Sequence, residues 1–461
     1  MAQTELVGNK KSKYEMDMCS GSILKKLLLF TIPLVFSSIL QLLFNAVDVV
    51  VVGKFAGETA LAAVSSTGSL INLITNVFIG MSVGTNVVVA RNYAAENHKA
   101  VRETVHTAIF LSILSGIFLT IVGVFLAPFL LNYMDVPDTV IGQSALYLRI
   151  YFLGITATLI YNFGSAILRA IGDTKRPLVF LIIAGCVNLV LNLISVIVFE
   201  MGVAGVAIAT SVSQCVSAFL IILCLIRETN CVHLNIKKLR VYKDKLLQIL
   251  RIGLPAGFQG ALFSLSNVVI QSSINGFGDI TMAGSGAAGN LEGFVYVTMN
   301  SFHQGAISFV GQNIGAKKYE RINRIAFTAV ACVTVAGLIA GMGVTSLGKP
   351  LLSLYTDNPA VVDAGLIRLK HICAFYFLCG IMDVMVGVLR GMGYSVMPML
   401  VSLIGVCGFR LLWLATVFQF PQYHSVETVY ISYMVSWIAT ALIHIGCFIV
   451  VRKRKKTLWG V

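Results

Sequence analysis

Asp48 lies in an unbroken apolar run, with no basic residue between Lys26 and Lys54. A carboxylate set there must be satisfied by its helix neighbours or exchange a positively charged passenger, because an unpaired charge in hydrocarbon is expensive. Gln41, Asn45 and Asp48 recur at i, i+4 and i+7 and share one helical face. Asn188 and Asn192, four apart, share a face of a later run, Thr210 opens the next, and Tyr161 and Asn162 add polar groups in the run before. One carboxylate surrounded by amide and hydroxyl oxygens suits a small hard cation such as Na+. The same carboxylate, withdrawn from water, can instead bind a proton. A structural acid bonded only to its helix partners is the competing reading.

A second set lies in the other half of the chain. Glu292, Tyr296, Met299 and His303 fall at i, i+4, i+7 and i+11, so an acid shares a stripe with an aromatic ring and a thioether. That combination suits an organic cation through charge, cation–π attraction and adaptable packing. His303 alone reads better as a hydrogen-bonded core residue than as a proton relay. Asp383 is a further acid in an apolar run, and Gln259, Asn267 and Gln271 are the polar groups of the run that opens this half. Arg410 is the one basic residue placed inside a span, and it should neutralise an acid of its own half, Asp383 or Glu292.

Other patterns carry no chemistry. Gly284-Ser285-Gly286-Ala287-Ala288-Gly289 has the spacing of a dinucleotide loop, but no strand precedes it. No Walker loop is present, so ATP is not the energy source, no cofactor is called for, and an ion gradient must drive any work. The ten cysteines have neither metal-ligand nor thioredoxin-like spacing and read as small hydrophobes. No Ser/His or di-acid constellation supports an intramembrane enzyme.

The elements that must hold these side chains are membrane helices. Of 461 residues, 57% are hydrophobic and 12% charged, about half the charge of a soluble chain, and the mean hydropathy is +0.87. Twelve apolar runs are long enough to cross a bilayer, at 27–53, 60–90, 105–131, 141–167, 177–199, 201–226, 252–278, 281–311, 325–347, 371–389, 397–420 and 428–451. They do not alternate as barrel strands do, so the class is all-α. The tails and even-numbered connections hold 28 of the 34 Lys and Arg residues, whereas the opposite side holds five, among them Arg368. That split places both termini in the cytoplasm of a cell inner-membrane protein. It also explains the net charge of +14 without a nucleic-acid partner.

The halves repeat at an offset of 221–222. Leu168-Arg169-Ala170-Ile171-Gly172 returns as Leu389-Arg390-Gly391-Met392-Gly393, and Pro33 and Asn45 return as Pro255 and Asn267. Tyr133, Asp135 and Pro137 return as Tyr355, Asp357 and Pro359. Six spans per copy make a parallel repeat with a cavity expected between the lobes, an arrangement suited to alternating access. The division is a tail (1–26), an N-lobe (27–226), a linker (227–251), a C-lobe (252–451) and a basic tail (452–461). Leu234, Leu239, Leu246 and Leu250 suggest that the linker lies on the membrane as an interfacial helix. Asp48 stands opposite Ile270 at this offset, so the shared scaffold does not need its charge.

The chain resembles the multidrug and toxic compound extrusion (MATE) family, within the wider flippase-and-exporter superfamily. The resemblance spans about residues 20–450. It is carried by Pro33 with Asn45-Ala-Val-Asp48 and Gly53, by Leu168-Arg169-Ala-Ile-Gly172-Asp173-Thr174, by Asn188-x-x-x-Asn192, and by Gly202-Val-Ala-Gly205-Val-Ala-Ile-Ala-Thr210. It implies a V-shaped twelve-helix antiporter, monomeric among membrane lipids, that expels cationic amphipathic drugs in exchange for Na+ or H+. The family's N-lobe cation site falls on Asp48, Asn188, Asn192 and Thr210. Some members carry an acid where Asn192 stands, so this chain has one charge fewer there. A lipid-linked precursor flippase is the alternative within the superfamily. It would call for several intramembrane basic residues to meet a diphosphate, and the sequence offers only Arg410.

Overall fold

The computed structural model describes residues 14–133 and 138–459. Asp135 and Pro137 of the sequence repeat, and most of the N-terminal tail, lie outside them. The described residues form helices and connections, with no strand among them. The first half consists of α1 (Ile23–Phe55), α2 (Glu58–Ala94), α3 (His98–Tyr133), α4 (Asp138–Ala170), α5 (Lys175–Leu193) and α6 (Gly202–Arg227). The second begins with α7 (Lys243–Asn275), α8 (Asp279–Gly315) and α9 (Arg321–Ser346), then the short α10 (Gly348–Leu352). Its tenth span is broken into α11 (Pro359–His371) and α12 (Tyr376–Gly391) by a 3-10 turn. Its eleventh is broken into α13 (Val396–Ser402) and α14 (Phe409–Ala415) by a π-helical segment, and α15 (Val426–Trp459) is the last helix of the described residues.

Eleven helical segments of the described residues are long and apolar enough to cross a membrane, which makes this a multi-pass membrane protein. The remaining long helix is α8. It has 37 residues but carries Asn290, Glu292, His303, Gln304, Gln312 and Asn313 among many glycines. The expected twelfth element is therefore present as a helix and departs from the others in polarity. Packing explains the departure, because Glu292, His303, Gln312 and Asn313 are all buried in protein, where a helix need not present apolar groups all round.

The duplication is written into the backbone. Left-handed φ values occur at Gly57 and Gly278, at Glu96 and Lys317, and at Gly172 and Gly393, each pair 221 residues apart. Gly57 and Gly278 precede α2 and α8 with nearly the same angles, φ 89 and ψ 173 against φ 95 and ψ 172. Pro33 and Pro255 sit inside α1 and α7.

By packing, the chain divides into two units. One comprises Phe36–Gly257 with the N-terminal segment through Asp17; the other comprises Met18–Val35 with Phe258–Val461. Each unit thus contains the first part of the opposite repeat's opening helix. In the first unit, Gly80 and Gly84 of α2 cross Gly253 and Gly257 of α7. A Cβ on Gly80 would lie 2.3 Å from the Gly257 backbone, and one on Gly257 2.2 Å from the Val77 carbonyl. Only hydrogen side chains permit that approach. In the second unit, Gly305 of α8 meets Leu27 and Thr31 of α1, and Phe30 packs edge-on against Phe309 at 5.8 Å.

The linker is not the interfacial helix expected from its leucines. Leu234 is 1% exposed and its N–H donates to the Leu225 carbonyl at 2.9 Å, which ties the segment to the end of α6. Regular α-helix resumes only at Lys243, as the first turn of α7.

Candidate functional site

α1 delivers Asp48 into the first unit, where it is 7% exposed. Val51 and Val52 of the same helix, Leu148 and Phe152 of α4, and Val203, Val206 and Ala207 of α6 belong to one buried apolar cluster. Tyr147 of that cluster lies within electrostatic reach of Asp48. The carboxylate is therefore withdrawn from water on a helix that packs into an apolar cluster, and its polar contacts must come from a few placed groups.

Those groups close a ring. Nδ2 of Asn192 donates to Oδ1 of Asp48 and also to Oδ1 of Asn188, at 3.3 Å. Nδ2 of Asn188 donates to Oγ1 of Thr210 at 3.4 Å, and that hydroxyl donates to Oδ2 of Asp48 at 3.2 Å. The four residues that sequence reasoning grouped are thus brought together from α1, α5 and α6. No Lys, Arg or His forms an ion pair with Asp48 among the described residues. Oδ1 of Asn192 is buried with no hydrogen-bond partner, an acceptor left over at the centre of the arrangement.

The local sequence explains how three helices meet. Gly185 of α5 lies under the Phe44 ring of α1, and a Cβ on it would fall 1.8 Å from Cε2. Phe44 precedes Asp48 by one turn, and Gly185 precedes Asn188 by three residues, so the crossing sets the spacing of the polar groups. Just past Asn192, α5 widens into a π-helical turn at Ile194–Val198, a local irregularity frequent at functional sites. The chain then reverses through left-handed Glu200 and Gly202 into α6, which packs Gly205 against Ser195. Sequence reasoning missed Gly185 and Phe44; a glycine three residues before the first amide was the available signal.

The remaining N-lobe candidates stand apart from the ring. Gln41 and Asn45 are exposed, so the stripe on α1 contributes only its last member. Tyr161 donates to the Pro177 carbonyl at 3.0 Å, and Asn162 returns to the Thr158 carbonyl one turn back.

In the second unit the expected pairing is corrected. Arg368 was assigned to a connection, yet it lies in α11 inside the segment Pro359–Gly391. Its Nη2 and Nε reach Oε2 of Glu292 at 2.8 and 3.1 Å, and Nη1 reaches Ser285 at 2.7 Å. Glu292 is already neutralised, although its stripe-mate Tyr296 is exposed and Met299 is fully buried. Arg410 pairs with neither acid. Its Nε donates to Ser436 at 3.0 Å, and its guanidinium lies 3.8 Å from the Tyr433 ring centre and 5.6 Å from that of Trp437. Aromatic faces supply the negative potential that an acid was expected to supply.

His303 donates from Nδ1 to the Asp383 carbonyl at 2.6 Å, which leaves Nε2 as the acceptor facing Arg390 at 3.5 Å. Arg390 donates to Gln259 at 2.8 Å. The Asp383 carboxylate itself takes part in no hydrogen bond or ion pair among the described residues, although the Arg390 charge acts on it. Asn267 is exposed, and Gln271 bonds Asn275 one turn on.

The MatE family model matches this chain twice, over residues 33–194 and 255–414, once per repeat. The probable multidrug resistance protein YpnP of Bacillus subtilis is 30% identical over 390 residues, covering 84% of this chain and 87% of that protein. YoeA of the same organism, also named a probable multidrug resistance protein, is 27% identical over 99% of this chain and 98% of its own length. Among solved structures, a MOP-superfamily transporter from Pyrococcus furiosus superposes with a TM-score of 0.90 at 20% identity, covering 97% of this chain and all of that one. With the same family model on both repeats, and a relative matched over most of its length, the chain belongs to the MatE family of membrane transporters.

Proposed function

We propose that this transporter exports cationic amphipathic compounds by alternating access, in exchange for Na+ or H+ bound at Asp48. The observation that carries the reading is a buried carboxylate held only by neutral side chains. An anion in that position is penalised by its surroundings, and a small cation removes the penalty. Asp48 supplies two oxygens, and Asn188, Asn192 and Thr210 one each, a donor set of the hard type that alkali cations prefer. The unpartnered Oδ1 of Asn192 needs only an amide rotation to join them. A proton serves the same purpose by neutralising the carboxylate directly. In the second unit, Asp383 rather than Glu292 is the acid available to a cationic substrate, because Arg368 occupies Glu292. We place the protein in the cell membrane with both termini cytoplasmic, on the distribution of basic residues.

The test is dye efflux from proteoliposomes, with a Na+ gradient and a pH gradient imposed separately. One of the two should drive efflux, and Asp48→Asn should lower gradient-driven efflux at least tenfold, the order expected when a buried charge interaction is removed. Unchanged efflux in a correctly folded Asp48→Asn protein removes Asp48 from the coupling step.

A further inference from the structure

Beside the start of α3, away from the Asp48 ring, the first unit carries a cavity of about 280 Å³. Its walls come from two segments. The first turns of α3 contribute His98, Lys99, Arg102 and Glu103, and the connection to α7 contributes Lys238, Arg240 and Tyr242. Four permanent cations therefore converge with one acid. Among the described residues none of the four forms an ion pair, so the positive charge is not consumed within the protein. Arg240 lies 4.5 Å from the Tyr242 ring centre, which fixes one wall.

The cavity is built rather than incidental. Buried His106 donates from Nδ1 to the Arg102 carbonyl at 2.7 Å, and its Nε2 accepts the Asn235 N–H at 3.2 Å. Seven residues on, the Tyr242 N–H donates to Thr107 Oγ1 at 3.1 Å. These two cross-links hold the segment from 235 to 242 against α3, and Lys238 and Arg240 lie between them. Two large aliphatic side chains stand exposed among the charged and polar residues of the same stretch. Ile236 is 60% exposed and Leu247, in the opening turns of α7, is 68% exposed.

We propose that this cavity binds the phosphate headgroup of an anionic phospholipid of the adjoining leaflet, with the acyl chains running past Ile236 and Leu247. Arg102 and Arg240 offer planar forks matched to phosphate oxygens, and Lys99 and Lys238 add point charge. A free phosphate would satisfy the cations but leave the two exposed aliphatic side chains unused. Basic cavities at the membrane surface favour anionic over zwitterionic lipid by this mechanism.

The inference is tested with the full chain in micelles, by polarisation of phosphatidylglycerol labelled on an acyl chain, with labelled phosphatidylcholine as the other arm. Phosphatidylglycerol should bind more tightly. Arg102→Ala with Arg240→Ala should weaken it about tenfold, while the lysine pair, Arg102→Lys with Arg240→Lys, which keeps the charge but loses the forks, should bind with intermediate affinity. Removing the same charge elsewhere, with Lys317→Ala and Arg324→Ala, should change little. Equal binding of the two lipids, or equal loss in the Lys317/Arg324 control, would overturn the site. Displacement by millimolar inorganic phosphate would make a soluble anion the occupant and overturn the lipid assignment.

Discussion

Replacing Gly185 by alanine adds one methyl group where α5 crosses α1, and the structure sets the consequence. The new Cβ would lie 1.8 Å from Cε2 and 1.9 Å from Cζ of Phe44. Ordinary carbon contact starts near 3.4 Å, so the ring or the helix must retreat by roughly 1.6 Å. The ring bonds downstream have no such slack. Asn188 to Thr210 is 3.4 Å, Asn188 to Asn192 is 3.3 Å and Thr210 to Asp48 is 3.2 Å, and a few tenths of an ångström breaks each one. Overpacking of this kind costs about 1–3 kcal/mol, and losing one hydrogen bond to a charged group costs about 1.5–3 kcal/mol. On the exchange proposed above, the half-saturating concentration of the driving ion should therefore rise about tenfold or more in proteoliposome efflux. Phe44→Leu in the same chain removes the obstructing ring edge and should restore most of the ion affinity. Unchanged ion dependence in Gly185→Ala refutes the argument, and so does a defect that Phe44→Leu leaves untouched.

Two further outcomes are expected. Arg368→Met strands Glu292 without its partner and should destabilise the folded protein by about 3–5 kcal/mol, read as a lower unfolding temperature in detergent. Adding Glu292→Gln should recover most of that loss, and a double variant no better than the single would refute the pairing. Cys231, in the connection after α6, has its thiol pushed up to about 11, chiefly by burial and then by the Glu15 charge. In a chain retaining only that cysteine, maleimide labelling should be slow at neutral pH and rise about tenfold per pH unit toward 11, since only the thiolate reacts. Fast, pH-independent labelling would contradict it.

Asp48 was legible because a carboxylate in an apolar run is conspicuous whatever packs around it, and the Asn188/Asn192 spacing identifies their common face before any neighbour is known. The duplicated text around Arg169 and Arg390 gave the repeat for the same reason, since chain-local signals need no knowledge of contacts. Partners distant in sequence were not legible. Arg368 looks like a loop cation until α11 is seen to run into the tenth span, 76 residues from its acid. Arg410 looked as if it required a carboxylate, because nothing in a sequence reveals that Tyr433 and Trp437 will turn their faces toward it. Gln41 and Asn45 share the α1 face with Asp48 by spacing, yet spacing cannot say how far along a face protein contact extends before the helix emerges from its neighbours.

That last distinction also bears on why the two repeats differ chemically. The backbone features kept at an offset of 221 are left-handed turns and proline positions, which fix where helices begin and bend. Charges are free to differ on such a frame. At the counterpart of Asp48, Ile270 is 1% exposed, so an apolar side chain is buried at the corresponding position. The second unit places its acids elsewhere and answers Glu292 with Arg368. An acid answered by a fixed arginine has little affinity left for a mobile cation, whereas one answered by amides and a hydroxyl keeps its net charge. This contrast, more than the burial both acids share, favours Asp48 over Glu292 as the residue on which the proposed ion exchange should depend.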